Sequence, residues 1–574
     1  MKDINLRIPF IFFSFMLLII LLAITFLFLS IKKPANYKHT TIKIIKSAVR
    51  GNIYTNEFSL AKSKKIFNVY INTSIIKKEK LNLFIDLFSI YTNVNKQTLI
   101  KKFNSNKKIV FLTKVDEITK NSLIYLNRIL ALKYRVFIPN KKSGYIIGIR
   151  IEKSNPPFKR IYPYDDTFEP FLGRYRTIEQ NGKIIGKGDN GIERYYDKYL
   201  KEKKDGFIQG KRDVLGRVIY DKSAIIKYPI NGYNIKLNID LVLQKRVENI
   251  LDEAKKEANA SEVIAAVIES KTGKVLTFAS SNRYNPNHIK KEDIKNMKIS
   301  AIRTLYEPGS VLKPITLAIL LENKKVNLLE VIKGYNGRWK PKWRKTPIKD
   351  DEPFEWLTPR KIIIYSSNIG ISQLALRLTE DEFYKGLSNF GLNKKTNIDL
   401  PYEIKGRIRP KYLLRYPIYK STTAYGYGIL TTFTELLKAY NSFNNNGESV
   451  DLSIAANKIA SSKQIISPST AQQIKDILRD VVLKGTAKKA YIKGIFTAGK
   501  TGTAHINTKG KYENIYNSSF FGFANDKTHK YTIGVVFFNI KSPRYFASET
   551  AVPVFKKIVN SMIEKKLLKK GLNE

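Results

Sequence analysis

The sequence predicts an α+β chain in three parts. These are a single membrane-crossing helix, an elongated mixed α/β module, and a larger C-terminal domain whose antiparallel sheet is covered by helices. Three observations carry that expectation. Residues 8–31 are almost uninterrupted apolar sequence, FIFFSFMLLIILLAITFLFLS at their heart, which matches the ~20 residues a helix needs to cross the hydrocarbon core. From 36 to 227, short apolar alternations (IVFLTKV, RVFIP, YIIGIRIE) lie between lysine-rich stretches. From 233 to 570, strand patterns stand at both ends and helical patterns between them, the arrangement of a sheet assembled from distant segments.

Each part can be read in order. The apolar run exceeds the ~7–15 residue core of a cleavable signal, and no small-x-small pattern follows it. It is expected to be one uncleaved anchor, with residues 1–7 as a short cytoplasmic tail. In the mixed module, Leu123–Tyr134 has helical spacing. Near Tyr233 the pattern changes. Ile235–Asp240 looks like a strand, and Leu243–Ala258 a helix. Glu262–Glu269 and Lys274–Ser280 read as two apolar strands joined by a Ser-Lys-Thr-Gly turn. Ser518–Ala524 and Tyr531–Ile540 form a later strand pair, and Ile315–Glu322, Glu435–Phe443 and Ala471–Leu483 are helices between.

Composition removes several kinds of function. The absence of cysteine excludes disulfide scaffolds, thiol nucleophiles and cysteine-ligated zinc. The histidines (His39, His288, His505, His529) are scattered without a ligand spacing, so no metal and no other cofactor is expected. The net charge of +52 raises nucleic acid as a partner. Its lysines and arginines are spread over the whole length without a basic stripe or a nucleic-acid motif, so no nucleic-acid partner is expected. They read chiefly as a solvated surface, with attraction for anionic headgroups or wall polymers as the alternative.

The chemistry begins at Ser310-Val-Leu-Lys313, which follows Glu307-Pro308-Gly309 and opens the apolar stretch ITLAILL. A helix starting near Ser310 places Ser310 and Lys313 on one face. A serine hydroxyl is a weak nucleophile without an adjacent base, and a lysine can be that base once its pKa is lowered. Pro314 is tolerable in the first turn, and the helix N-terminus offers N–H groups to an oxyanion. Alone the pattern says little, because Ser30–Lys33, Ser59–Lys62, Ser74–Lys77 and Ser105–Lys108 also match it. The companions decide. Ser366-Ser367-Asn368 and then Lys500-Thr501-Gly502-Thr503 follow Ser310 in the order of a known signature set. The decoys Ser280-Ser281-Asn282 and Lys271-Thr272-Gly273 precede it. Tyr425–Gly428 is weakly like a phosphate loop but lacks the spacing, so a tight turn is the better reading.

These motifs resemble those of class B penicillin-binding proteins, and the resemblance covers nearly the whole chain. Arg50-Gly51-Asn52-Ile53 is similar to the family's pedestal opening, with Thr55 and Asn56 departing from its Asp-Arg. Arg160-Ile161-Tyr162-Pro163 and Gly191-Ile192-Glu193 with Tyr196-Asp197 look like later pedestal motifs. Leu237–Gln244 resembles the entry to the transpeptidase domain, and Ile398-Asp399-Leu400-Pro401, Tyr425–Gly428 and Gly485-Thr486-Ala487 fall where the family has them. Ile348-Lys349-Asp350 before SSN, and KTGT rather than KSGT, are similar to the septal, FtsI-like branch.

The resemblance implies a serine β-lactamase-like domain and a peptidoglycan D,D-transpeptidase. In that reading Ser310 is the nucleophile, Lys313 the general base and Ser366 a proton relay. Lys500 keeps the local field positive, and Asn368 contacts the stem amide and helps orient Lys313. Thr501, Gly502 and Thr503 bind substrate, the two threonines holding the terminal carboxylate. The N–H groups of Ser310 and Thr503 form the oxyanion hole. His505 is read chiefly as a strand residue and secondarily as a substrate contact. The implied partners are stem peptides, β-lactams, the cytoplasmic membrane, a polytopic glycosyltransferase of the FtsW type and other division proteins. An elongation-type transpeptidase, a D,D-carboxypeptidase, a penicillin sensor and a non-catalytic scaffold are the alternatives. Lys2 and Arg7 precede the apolar run, and Lys32, Lys33, Lys38 and Lys43 follow it, so a bare positive-inside count puts the bulk in the cytoplasm. Long domains translocate largely regardless of charge, and the substrate is external, so the bulk is expected outside.

Overall fold

The computed structural model describes residues 4–31, 41–56, 58–105, 107–139, 148–180, 183–213, 218–508 and 511–571. By chain contacts it divides into two units, 1–48 with 203–230, and 49–202 with 231–574.

The first unit holds the helix Ile4–Ile31, whose Pro9–Phe28 segment has a mean hydropathy of 3.0 and none of its surface buried. Its length and composition suit a membrane crossing. The unit also holds an antiparallel sheet of Thr41–Lys46, Gly206–Lys211 and Ile225–Lys227.

In the second unit, the long strand Ser59–Asn72 pairs with Ile109–Asp116 on one side and Arg150–Ile161 on the other. The helices Leu81–Thr92 and Glu117–Leu132 pack Phe84, Phe88, Leu123 and Leu126 into a separate core beside it. Glu117–Leu132 starts earlier than its apolar spacing suggests because Asp116 caps it, accepting from Thr119 N at 2.8 Å. RVFIP forms only a bridge at Phe137, and the start of YIIGIRIE lies outside the described residues. The three pedestal motifs, far apart in sequence, meet in one buried ion network. Glu193 accepts from Arg50 Nε at 2.9 Å and Arg160 Nε at 2.6 Å, Tyr162 adds a hydroxyl at 3.3 Å, and Asp197 lies 2.7 Å from Arg50 Nη1.

The C-terminal part is built on a five-stranded antiparallel sheet. Its strands are β1 (Glu262–Glu269), β2 (Val275–Ser280), β3 (Phe496–Thr508), β4 (Lys511–Asn525) and β5 (Lys530–Ile540), in the order β2-β1-β5-β4-β3. The first hairpin turns at Gly273, whose φ of +69° only glycine adopts freely. Consecutive strand residues face opposite sides, and Phe520 and Phe521 illustrate it. Phe520 meets Phe555 of the helix Ala551–Glu564 with ring centroids 4.8 Å apart. Phe521 meets Phe433 and Tyr440 of the helix Phe433–Asn444 at 5.6 and 5.5 Å. Helices therefore cover both faces, as expected. The strand near Tyr233 is shorter than expected, Ile235–Lys236, because Asp240 caps the helix Leu241–Glu257 through Leu243 N. Strand β3 is expected from the sequence only at His505, and the structure extends it back through Lys500 to Phe496. Its Lys-Thr-Gly-Thr sequence has no alternation, and its pairing with β4 supplies what periodicity lacks.

Candidate active site

Ser310 does not open an α-helix directly. Gly309–Leu312 is a single 3₁₀ turn, and the α-helix follows as Lys313–Glu322 with Pro314 in its first turn. At three residues per turn, side chains at i and i+3 eclipse. This brings Ser310 and Lys313 over one another more strictly than an α-helical turn does. Lys313 N donates to Ser310 O and closes the turn. Ser310 is half-buried and Lys313 wholly buried.

Two segments seat this turn. Gly309 N donates to Gly426 O at 3.1 Å, and Thr316 Oγ1 donates to Ala424 O at 3.0 Å. Gly426 has φ +91°, and a Cβ there would lie 2.1 Å from Gly309 O. The Tyr425–Gly428 segment is thus the tight turn expected, and it props the nucleophile. From the other side, a Cβ on Gly502 would come within 2.8 Å of Val311 and 3.0 Å of Pro308 O. Strand β3 can approach this closely only because position 502 has no side chain. Tyr440 OH donates to Val311 O at 2.6 Å.

Ser366, Ser367 and Asn368 start the helix Asn368–Ala375, which Ser367 caps by accepting from Gly370 N at 2.9 Å. Ser366 has φ +60°, a left-handed conformation uncommon for serine and frequent at functional sites. It turns both its carbonyl and its hydroxyl toward the lysines. Lys313 Nζ donates to Ser366 O and, at 3.1 Å, to Ser366 Oγ. Lys500 Nζ donates to the same Oγ at 3.0 Å and to Thr501 O at 3.2 Å. Lys313, Ser366, Lys500 and Thr501 are therefore brought into one cluster, and Ser310 stands on the 3₁₀ turn that Lys313 closes. Asn368 Nδ2 donates to Lys349 O at 2.9 Å, and the hydrogen bonds that orient Lys313 come from Ser366. Thr503 Oγ1 accepts from Ala547 N at 3.2 Å, and the Thr503 carbonyl lies 3.3 Å from where a Gly309 Cβ would be. His505 is exposed on β3, its ring 4.5 Å from Tyr516, and it lines a cavity of about 420 Å³ with Arg344, Tyr425 and Tyr427.

Burial sets the electrostatics. Desolvation pulls Lys313 down to about 8, against the raising effect of Asp350 and Asp351. Lys500 is pushed well below its ordinary value by the same desolvation and by the neighbouring Lys313 charge. Two buried amines on one hydroxyl cannot both hold a proton easily, so the cluster is poised to pass one along.

Sequence reasoning missed two contributors. Asp350 accepts from Asn368 N at 2.6 Å, from Ile369 N at 3.0 Å and from Ser367 Oγ, holding the SSN turn while facing Lys313. Thr486 shares a 2.7 Å hydrogen bond with Thr501. Both lie in motifs noticed only for their resemblance, and neither spacing betrays a contact made in space. The decoys remain apart: Lys271–Gly273 form the β1–β2 turn, and Ser280 donates to Glu262 at 2.7 Å.

Comparison with known proteins agrees with this geometry. Residues 263–560 match the family model of the penicillin binding protein transpeptidase domain, and residues 45–237 that of the penicillin-binding protein dimerisation domain. The chain is 29% identical to peptidoglycan D,D-transpeptidase FtsI of Buchnera aphidicola subsp. Baizongia pistaciae, over 96% of this chain and 94% of that one. It is 28% identical to peptidoglycan D,D-transpeptidase FtsI of Escherichia coli (strain K12), over 77% and 72% of the two chains. The crystal structure of penicillin binding protein 2X from Streptococcus thermophilus shares the fold, with a TM-score of 0.73 at 20% identity over 92% of this chain and 80% of that one.

Proposed function

The chain belongs to the penicillin-binding protein transpeptidase family, as a class B peptidoglycan D,D-transpeptidase, and from that premise we propose how its residues divide the work. Ser310 Oγ attacks the carbonyl of the penultimate D-Ala of a pentapeptide stem, and neutral Lys313 takes the hydroxyl proton. The N–H groups of Ser310 and Thr503 hold the oxyanion, an arrangement worth about 3–4 kcal/mol per donor in comparable sites. Ser366 carries a proton to the leaving D-Ala amine. Lys500 keeps the local field positive, and Thr501 and Thr503 bind the terminal carboxylate, with the stem lying along β3, which ends the sheet. Asn368 contacts the stem amide. The amine of a second stem then attacks the Ser310 ester, giving its proton back through the same relay, and the cross-link forms.

The observation that carries this reading is the Ser366 hydroxyl, which accepts from Lys313 at 3.1 Å and Lys500 at 3.0 Å at once. One hydroxyl between two desolvated amines is what a relay in both directions requires. A β-lactam acylates Ser310 by the same attack. The test is labelling with fluorescent penicillin: wild type labels, and Ser310→Ala does not. Equal labelling of both proteins overturns the assignment.

The similarity to FtsI proteins over most of the chain supports action at the division septum. The N-terminal helix supports a single-pass anchor in the cytoplasmic membrane, and an external peptidoglycan substrate calls for the bulk of the chain outside. Strand polymerisation would come from a polytopic glycosyltransferase of the FtsW type among other division proteins. Depletion should give filaments; round cells would point to elongation, and D-Ala release without cross-links to a carboxypeptidase.

A further inference from the structure

All the tryptophans of the chain, Trp339, Trp343 and Trp356, fall within one short stretch between the nucleophile helix and the SSN turn. The structure gathers them with Tyr335. The Tyr335 and Trp339 rings stack, with centroids 5.8 Å apart and planes at 17°, and Trp343 meets Trp339 edge-on at 5.7 Å. Lys333 Nζ lies over both the Tyr335 ring, at 5.4 Å, and the Trp356 ring, at 5.8 Å. These rings remain at the surface. Trp356 is 51% exposed, Tyr335 38%, and Trp339 and Trp343 are half-buried. A contiguous exposed aromatic patch of this kind marks a binding surface rather than ordinary scatter.

The backbone and the charge point the same way. Tyr335, Asn336 and Gly337 have φ of +53°, +47° and +77°. A bulky aromatic held left-handed is a backbone outlier, and such strain collects at ligand clamps. From Lys333 to Trp356 the chain carries seven lysines or arginines against four aspartates or glutamates, and those four all follow Lys349. This arm is also continuous with the catalytic framework. Trp339 pairs with Ile348 in the short hairpin Arg338–Trp339/Ile348–Lys349, Lys349 O accepts from Asn368, and Arg344 donates to Tyr425 OH at 2.9 Å.

We propose that this aromatic and cationic arm is a binding platform for the glycan strand of the polymeric substrate, a proposal that rests on the transpeptidase reading. A pyranose ring has an apolar C–H face and a polar rim of hydroxyls. It fits an aromatic face, whose π-cloud attracts the slightly positive C–H groups, flanked by donors. The surplus of cations suits the free carboxylates of the stems that such a strand bears. A purely anionic polymer would use the cations and leave the rings idle. An apolar protein partner would use the rings and be indifferent to the charge. Docking the strand here raises the local concentration of stems beside Ser310 without entering the acyl site.

The experiment uses the full-length chain in detergent and, as probe, glycan strands stripped of their stem peptides by an amidase. Co-sedimentation should show binding by wild type and a loss of roughly tenfold or more in Tyr335→Ala/Trp339→Ala and in Trp356→Ala. Trp356→Tyr, which keeps a ring, should recover most of it. Acylation by fluorescent penicillin reports in each variant whether the fold and Ser310 are intact. Three outcomes overturn the platform: no binding of stripped strands by wild type, equal binding by the alanine variants, or binding that polyglutamate displaces as well as soluble glycan does. Loss of penicillin labelling in wild type would instead sink the catalytic reading, so the two failures are separable.

Discussion

Lys313 and Lys500 are both buried side chains, and what keeps them useful is the residue between them. Ser366 offers a carbonyl and a hydroxyl from one left-handed turn, so Lys313 is hydrogen-bonded without being neutralised by a direct carboxylate partner. Asp350 acts on it through space and through the turn. With Lys313 at about 8, about a tenth of it is neutral at pH 7, and the reactive fraction grows as pH rises. The acylation rate should therefore climb nearly tenfold per unit below pH 8 and level off above it. Because the Asp350 carboxylate raises the Lys313 pKa, Asp350→Asn should shift the rising limb to lower pH, measured as penicillin acylation rate against pH. An unmoved or oppositely moved limb would remove Lys313 from the base role.

At the level of elements, the active turn is squeezed between two glycine-bearing segments that have no sequence neighbourhood in common. Gly426 lies against Gly309, and Gly502 lies against Val311 and Pro308. Gly426→Ala places a methyl 2.1 Å from the Gly309 carbonyl, in backbone that alanine disfavours. The 3₁₀ turn must move to accommodate it. Acylation should fall by a factor of ten or more, the scale expected when reacting groups are displaced by about 1 Å. Far-ultraviolet circular dichroism should stay close to that of wild type. Retained acylation would mean that the Tyr425–Gly428 segment does not set the position of Ser310. The short arm from Lys333 to Lys349 belongs to the same scale, since it carries exposed aromatic rings at one end and the Asn368 contact at the other, with the Asp350 grip on Ser367 immediately after it.

Over the whole molecule, the three pedestal motifs serve a single purpose. Arg50, Arg160 and Glu193 form a buried network that ties the start of the described second unit to residues well over a hundred positions later. Removing the shared acid leaves two buried guanidiniums without it. Glu193→Ala should cost about 3–5 kcal/mol, read as a lowered thermal midpoint. Unchanged stability would mean that the network is dispensable. Thr55 and Asn56, the departures from the family pattern, lie outside this network, so the pedestal keeps its central ion pairs despite them.

Much of this protein is legible along the chain, for a local reason. Apolar length marks the N-terminal helix, short apolar runs bounded by turns mark β1, β2 and β5, and caps and turns mark many ends. The order of Ser310, Ser366 and Lys500 separates the reactive serine from its decoys. These signals depend on neighbours within a few positions, so a sequence states them by itself. The tertiary structure alone decided the 3₁₀ turn at Ser310, the strand that carries Lys500, the meeting of both lysines on Ser366, the grip of Asp350 and Thr486, and the gathering of the aromatic arm. Each depends on desolvation and on contact between segments distant in the chain. Burial lowers an amine's pKa only when other segments close over it, and no periodicity records which segments those will be.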